Sequence, residues 1–106
     1  MNTTVALAGK AQLSFQDNDE GGRTLLITGN TPDPKPLVRH LVSIGLQARA
    51  IGHVLIVTGT IRRRDGGSYS DFGDSCTHLT LSEATTHAIY RIGSVFREHG
   101  IQPEVV

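Results

Sequence analysis

The chain of 106 residues is 38% hydrophobic and 19% charged, and its ten basic residues balance ten acidic ones. Such a length supports one hydrophobic core and not two, and the hydrophobic content excludes wholesale disorder. Zero formal charge excludes a protein that holds polyanions by global charge, so any nucleic-acid contact has to be local. We therefore read residues 1–106 as a single domain.

From Val5 to Phe15 the apolar residues Val5, Leu7, Ala11, Leu13 and Phe15 fall on alternate positions, with Gly9 in phase. Period two predicts a half-buried strand. The turn-forming run Asp17-Asn18-Asp19-Glu20-Gly21-Gly22 and the β-rich stretch Thr24 to Thr28 complete an antiparallel hairpin. Gly29 to Pro36 holds three prolines, and Asp33 followed by Pro34 suits an N-cap and first helical position. Leu37, Val38, Leu41, Val42 and Ile44 then form a helical stripe that Gly45 ends, with Leu46 placed to pack back. His40 lies off the stripe and is expected to face solvent.

Gln47 to Ile51 and Val54 to Ile61 read as two strands around Gly52-His53, with Leu55, Val57 and Ile61 on one face. Gly59 interrupts that face, which marks a bulge, a close backbone approach or a position beneath a bulky neighbour. Thr80 and Glu83 make a capping box, with Leu79 and Ala84 as its staple, and set the start of a second helix near Leu81. Ala84, Ala88, Ile89, Ile92, Val95 and Phe96 form its apolar face, and Arg91, Arg97 and Glu98 are expected to point outward. Gly100 ends it, and Pro103 restricts the tail from Ile101 to an edge strand. The fold class predicted is α+β: an antiparallel sheet of four to six strands with two helices packed on one face, in a ferredoxin-like β-β-α-β-β-α order.

Charge is distributed unevenly. Asp17, Asp19 and Glu20 form an acidic cluster, whereas Arg62, Arg63 and Arg64, three of the eight arginines, close a strand just before Asp65-Gly66-Gly67. Successive strand residues alternate between faces, so at most two of these arginines reach one surface. The guanidinium suits phosphate because it donates two parallel hydrogen bonds, and a hairpin tip can track a backbone. The same run also serves as a charged guard of a sheet edge. Tyr69 and Phe72 beside it offer a stacking surface for unpaired bases, a contact of about 1–3 kcal/mol per base, although the core has first claim on Phe72.

Asp74, Cys76 and His78 would share one face of a strand, yet no second Cys/His pair accompanies them at structural-zinc spacing and His87 lies on the following helix, so no metal or cofactor is assigned. Nucleophile elbow, Walker loop, dinucleotide fingerprint and HExxH are all missing from the sequence, which leaves no catalytic residues and predicts that the chain is not an enzyme. Cys76 is the only cysteine and cannot form an intrachain disulfide. With no signal-like start and no apolar run near the roughly 18 residues that cross a bilayer, the expectation is a cytoplasmic protein with no membrane partner.

The order of a strand, basic residues, Asp65-Gly66-Gly67-Ser68-Tyr69, Asp71-Phe72-Gly73 and a helix containing Glu83-Ala84-Thr85-Thr86-His87-Ala88-Ile89-Tyr90-Arg91 resembles the heart of the single-strand annealing recombination proteins, the Erf-type phage annealers and their eukaryotic repair relatives. The resemblance covers a third to a half of the chain, roughly, through short motifs. It implies an annealing-protein-like version of the same element order, a role for Arg91 in nucleic-acid binding, and a ring or filament that pairs complementary strands without nucleotide hydrolysis. The functional expectation is therefore a homo-oligomeric single-stranded nucleic-acid-binding or annealing module, with Arg62, Arg63 and Arg64 on phosphates and Tyr69 near bases. The alternative, which overall neutrality favours, is a small protein-interaction or inhibitor module of phage or mobile-element type that pairs through its sheet edge or first hairpin.

Overall fold

Alternating apolar residues give β1 (Gly9–Asp17), which pairs antiparallel with β2 (Arg23–Asn30) from Lys10 opposite Asn30 to Asp17 opposite Arg23. The computed structural model describes residues 9–73 and 78–106. The Asn18 side chain closes the β1–β2 turn by accepting from the N–H groups of Glu20 and Gly22, each at 3.0 Å. Pro34 opens α1 (Pro34–Ser43), and Gly45, at φ 97°, ends it by letting the Leu46 N–H reach back to the Leu41 carbonyl at 3.1 Å. Leu46 is buried as a result.

The remaining elements are β3 (Gln47–Ile51), β4 (Val54–Arg63), β5 (Tyr69–Asp71), α2 (Leu81–Glu98) and β6 (Ile101–Val105), with a 3₁₀ turn at Asp65–Gly67. The main sheet runs in the order β3-β4-β2-β1-β6, and β5 pairs with the Ile61–Arg63 end of β4. The α+β class holds, but the wholly antiparallel sheet does not. β6 lies parallel to β1, with Gly9 opposite Ile101 and Leu13 opposite Val105, so the sheet is mixed. The ferredoxin-like order also fails at this point, because β1 stands between β2 and β6 where that order would pair the last strand with the first strand of the unit. The connection that this parallel pair requires is supplied by all the elements from β2 to α2, which lie between β1 and β6 in the chain.

Side-chain alternation divides the sheet into two unlike faces. Ala11, Leu13, Leu25, Ile27, Leu55 and Val57 are buried beneath Leu37 and Leu41 of α1 and Ile92, Val95 and Phe96 of α2. The opposite face carries Lys10, Gln12, Thr24, Leu26, Thr28, Arg49, Ile56, Thr58, Thr60 and Arg62, and among the described residues no element covers it. Val42, expected on the buried stripe, is 53% exposed because Leu37 and Leu41 alone meet the sheet squarely. His40, expected in solvent, is half-buried between the helix ends, its Nδ1 3.2 Å from Nε2 of His99 and 3.7 Å from a Glu98 carboxylate oxygen. No helix among the described residues is long and apolar enough to cross a membrane.

The capping box of α2 is complete: the Thr80 hydroxyl accepts from the Glu83 N–H and the Glu83 carboxylate accepts from the Thr80 N–H, both at 3.1 Å. These bonds, the backbone one first, hold the Glu83 carboxyl below its ordinary pKa. The contribution of that carboxylate is therefore present above its ordinary pKa and is lost as pH falls through the lowered one. Thr80→Ala is expected to cost about 1 kcal/mol in urea unfolding, with an unchanged slope. An unchanged midpoint would show that the hydroxyl bond contributes nothing net.

Candidate functional site

β4 outruns its neighbour β3 and projects the arginine run past it. Gln47 to Ile51 occupy β4 from Thr58 back to Val54, and β5 takes over opposite Ile61, Arg62 and Arg63. Between the two, Gly59 provides a notch. A Cβ there would stand 2.5 Å from Cδ2 of Leu46 and 2.8 Å from Cδ1 of Phe72. Gly59 is thus the position beneath bulky neighbours, and its pairing with Leu25 is unbroken, so there is no bulge. Phe72 turns into this notch with φ 42°, a left-handed conformation that side chains seldom adopt.

Arg62 is in phase with Thr58 and Thr60 on the open face, whereas Arg63 is in phase with Ile61 on the helix side. Both are exposed. Gly22 brings the β1–β2 turn directly against their base, since a Cβ on it would overlap the Ile61 carbonyl oxygen at 2.0 Å. The two turns enclose a hollow of about 370 Å³ lined by Asn18, Glu20, Gly22, Thr60, Ile61, Arg62 and Arg63. A neighbouring hollow of about 340 Å³ is bordered by Glu20, Arg63, Arg64, Asp65, Gly66 and Gly67. Arg64 is half-buried, and its backbone closes the tip: its N–H donates to Ser68 O at 2.7 Å and its carbonyl accepts from Gly67 N–H at 3.3 Å.

The acidic cluster folds beside the basic one. Glu20 borders both hollows, while Asp17 is taken up by Arg23, whose Nε lies 2.9 Å from the carboxylate and whose Nη1 donates to the Thr85 hydroxyl at 2.8 Å. Of the expected site residues, the structure brings Arg62, Arg63 and Arg64 together, sets Tyr69 of β5 directly opposite Arg63, and places Arg91 on α2. The Tyr69 ring is half-buried against the small cluster of Ile61, Ala84 and Ala88. Arg91, expected outward, turns in toward Asp71.

That contact is the feature the sequence pattern did not reveal. Asp71 is fully buried, with Oδ2 2.7 Å from Nδ1 of His87 and Oδ1 3.3 Å from Nη1 of Arg91. The Arg91 guanidinium also stands 6.0 Å from the centre of the Phe72 ring. His87 and Arg91 are four residues apart on α2, so one helix face supplies both partners of a carboxylate on β5. A carboxylate in phase with buried Ile61, with a histidine and an arginine at helical spacing after it, was the available signal. Among the described residues no group of three His, Cys, Asp or Glu is placed to hold a metal ion, and Asp74 and Cys76 lie outside the described residues. Comparisons with protein-family models, curated proteins and solved structures find no match to this chain.

Proposed function

We propose that the chain binds single-stranded nucleic acid at the sheet end built by Arg62, Arg63 and Arg64. The phosphodiester backbone would run from this tip over the paired Thr24 and Thr60 of the open face. One observation carries the reading: Arg62 and Arg63, both exposed, border the same hollow as Thr60, so the end of β4 presents two basic residues and a hydroxyl residue around one space. Guanidinium and hydroxyl donors are the groups that position phosphate. The motif resemblance to the annealing proteins supports the same assignment.

Glu20 and Asp65 on the rims reduce the attraction of a single copy. Binding of useful strength then comes from repeating the site in a homo-oligomer, where several weak sites act on one strand. Tyr69, half-buried opposite Arg63, supports the hairpin through packing in this reading and stands beside the bases of a strand held by the arginines. Arg91 holds Asp71.

The test is fluorescence anisotropy of labelled oligo-dT and a matching duplex at two salt concentrations, with light scattering for mass. Arg62→Ala/Arg63→Ala is expected to raise the Kd for oligo-dT at least tenfold and to reduce the salt slope by about 1.4, two contacts at about 0.7 each on a single strand. Tm should stay within one degree or so, since both side chains are exposed. An oligo-dT affinity indifferent to this double change would overturn the assignment.

A further inference from the structure

The two edges of the main sheet are chemically unlike. β6 carries Pro103, which has no N–H to donate and guards its edge against added strands. β3 has no proline, and among the described residues no strand pairs with its outer side. Its side chains are small where they face α1, at Ala48 and Ala50, so a further backbone can approach.

Both flanks of this edge are hollow and basic. On the helix side Lys35, Val38, Arg39 and Ala50 line a space of about 420 Å³, and Lys35 and Arg39 lie one helical turn apart on α1. On the open side Gln47, Ala48, Arg49, Ile56 and Thr58 line a space of about 320 Å³. Neither lining includes an acidic side chain. Apolar surface accompanies the charge: Ile51 is 66% and Val54 49% exposed on the open side, and Val38 is half-buried on the other.

We infer that the outer edge of β3 is a docking site for an extended segment of a partner protein that alternates acidic and β-branched residues, added to the sheet as a further strand. Main-chain bonds to the exposed N–H and C=O groups of residues 47–51 fix its direction, its carboxylates, all on one face, meet Lys35 and Arg39 on the helix side, and its β-branched side chains lie on the open side with Ile51 and Val54. A second copy of this chain does not fit. Full antiparallel overlap of two β3 strands sets Arg49 opposite Arg49, a like-charged pair at cross-strand distance. Pairing of β3 with β6 of another copy meets Pro103 instead. Charge complementarity therefore selects an acidic strand from a different protein, at a site separate from the arginine tip.

The experiment uses two labelled eight-residue peptides, one alternating Glu and Val and one alternating Lys and Val, titrated into the full chain by anisotropy and then studied by amide hydrogen exchange. The Glu-Val peptide is expected to bind and to slow exchange within residues 47–51. Lys35→Glu/Arg39→Glu should weaken it at least tenfold and shift preference toward the Lys-Val peptide, while leaving oligo-dT binding unchanged. Arg62→Ala/Arg63→Ala should leave peptide binding intact, which separates this site from the proposed nucleic-acid tip. Absence of Glu-Val binding at millimolar concentration, unchanged exchange across β3, or displacement of the peptide by oligo-dT would each overturn the inference, the last by assigning these cations to phosphate.

Discussion

Arg91→Ala is expected to destabilise the chain by about 3 kcal/mol, the lower end of the range for removing one partner of a buried ion pair. The reason lies in Asp71, which has no exposed surface and receives Nη1 of Arg91 at 3.3 Å. Taking the cation away leaves a charge in a poorly solvated site, and the cost of that exceeds the net worth of the pair itself. The Nδ1 of His87 stays at 2.7 Å, which limits the loss. The measurement is urea unfolding of Arg91→Ala, Asp71→Leu and the double variant Asp71→Leu/Arg91→Met. The double change should recover most of the loss, because an apolar pair of similar volume needs no compensation there. Additive losses would show that Arg91 does not carry the carboxylate.

The same contact explains what local pattern could and could not convey. Helix ends are encoded within a few residues, so Asp33-Pro34, Gly45, the Thr80 and Glu83 box and Gly100 located both helices closely. Strand alternation likewise placed Leu55, Val57 and Ile61 on the buried face and set Arg62 and Arg63 on opposite ones. Partner choice is not local. Nothing in Ile101-Gln102-Pro103-Glu104-Val105 states that it will lie parallel to a strand some ninety residues earlier, roughly the whole chain away. The burial of Asp71 is hidden for the same reason, since acidic residues are almost never buried unless paired and its partners sit on another element.

Phe96→Ala is expected to have the largest effect, about 3–5 kcal/mol, and a fall in Tm of more than ten degrees at about 4 °C per kcal/mol for a chain of this size. Phe96 is the largest fully buried side chain and belongs to the main core, where α2 meets α1 and the inner face of the sheet. Truncation removes the transfer energy of the ring and leaves a cavity among residues that already sit at full burial, including Leu13, Ile27 and Leu41. The site of this loss is distinct from that of Arg91→Ala. A second cluster of Ile61, Ala84 and Ala88, packed with Tyr69 and Phe72, supports β5 and the arginine tip. Native-state hydrogen exchange should separate the two: Phe96→Ala lowers protection throughout β1, β2 and β4, because their opening is global, whereas Arg91→Ala lowers it first in the three residues of β5. Equal loss in both regions in both variants would mean that β5 and the main core open as one unit, and that the tip has no stability of its own to tune. If β5 opens separately, its hydrogen-bonded pairing with Ile61, Arg62 and Arg63 makes the Asp71 contact the control on how firmly the arginines are presented.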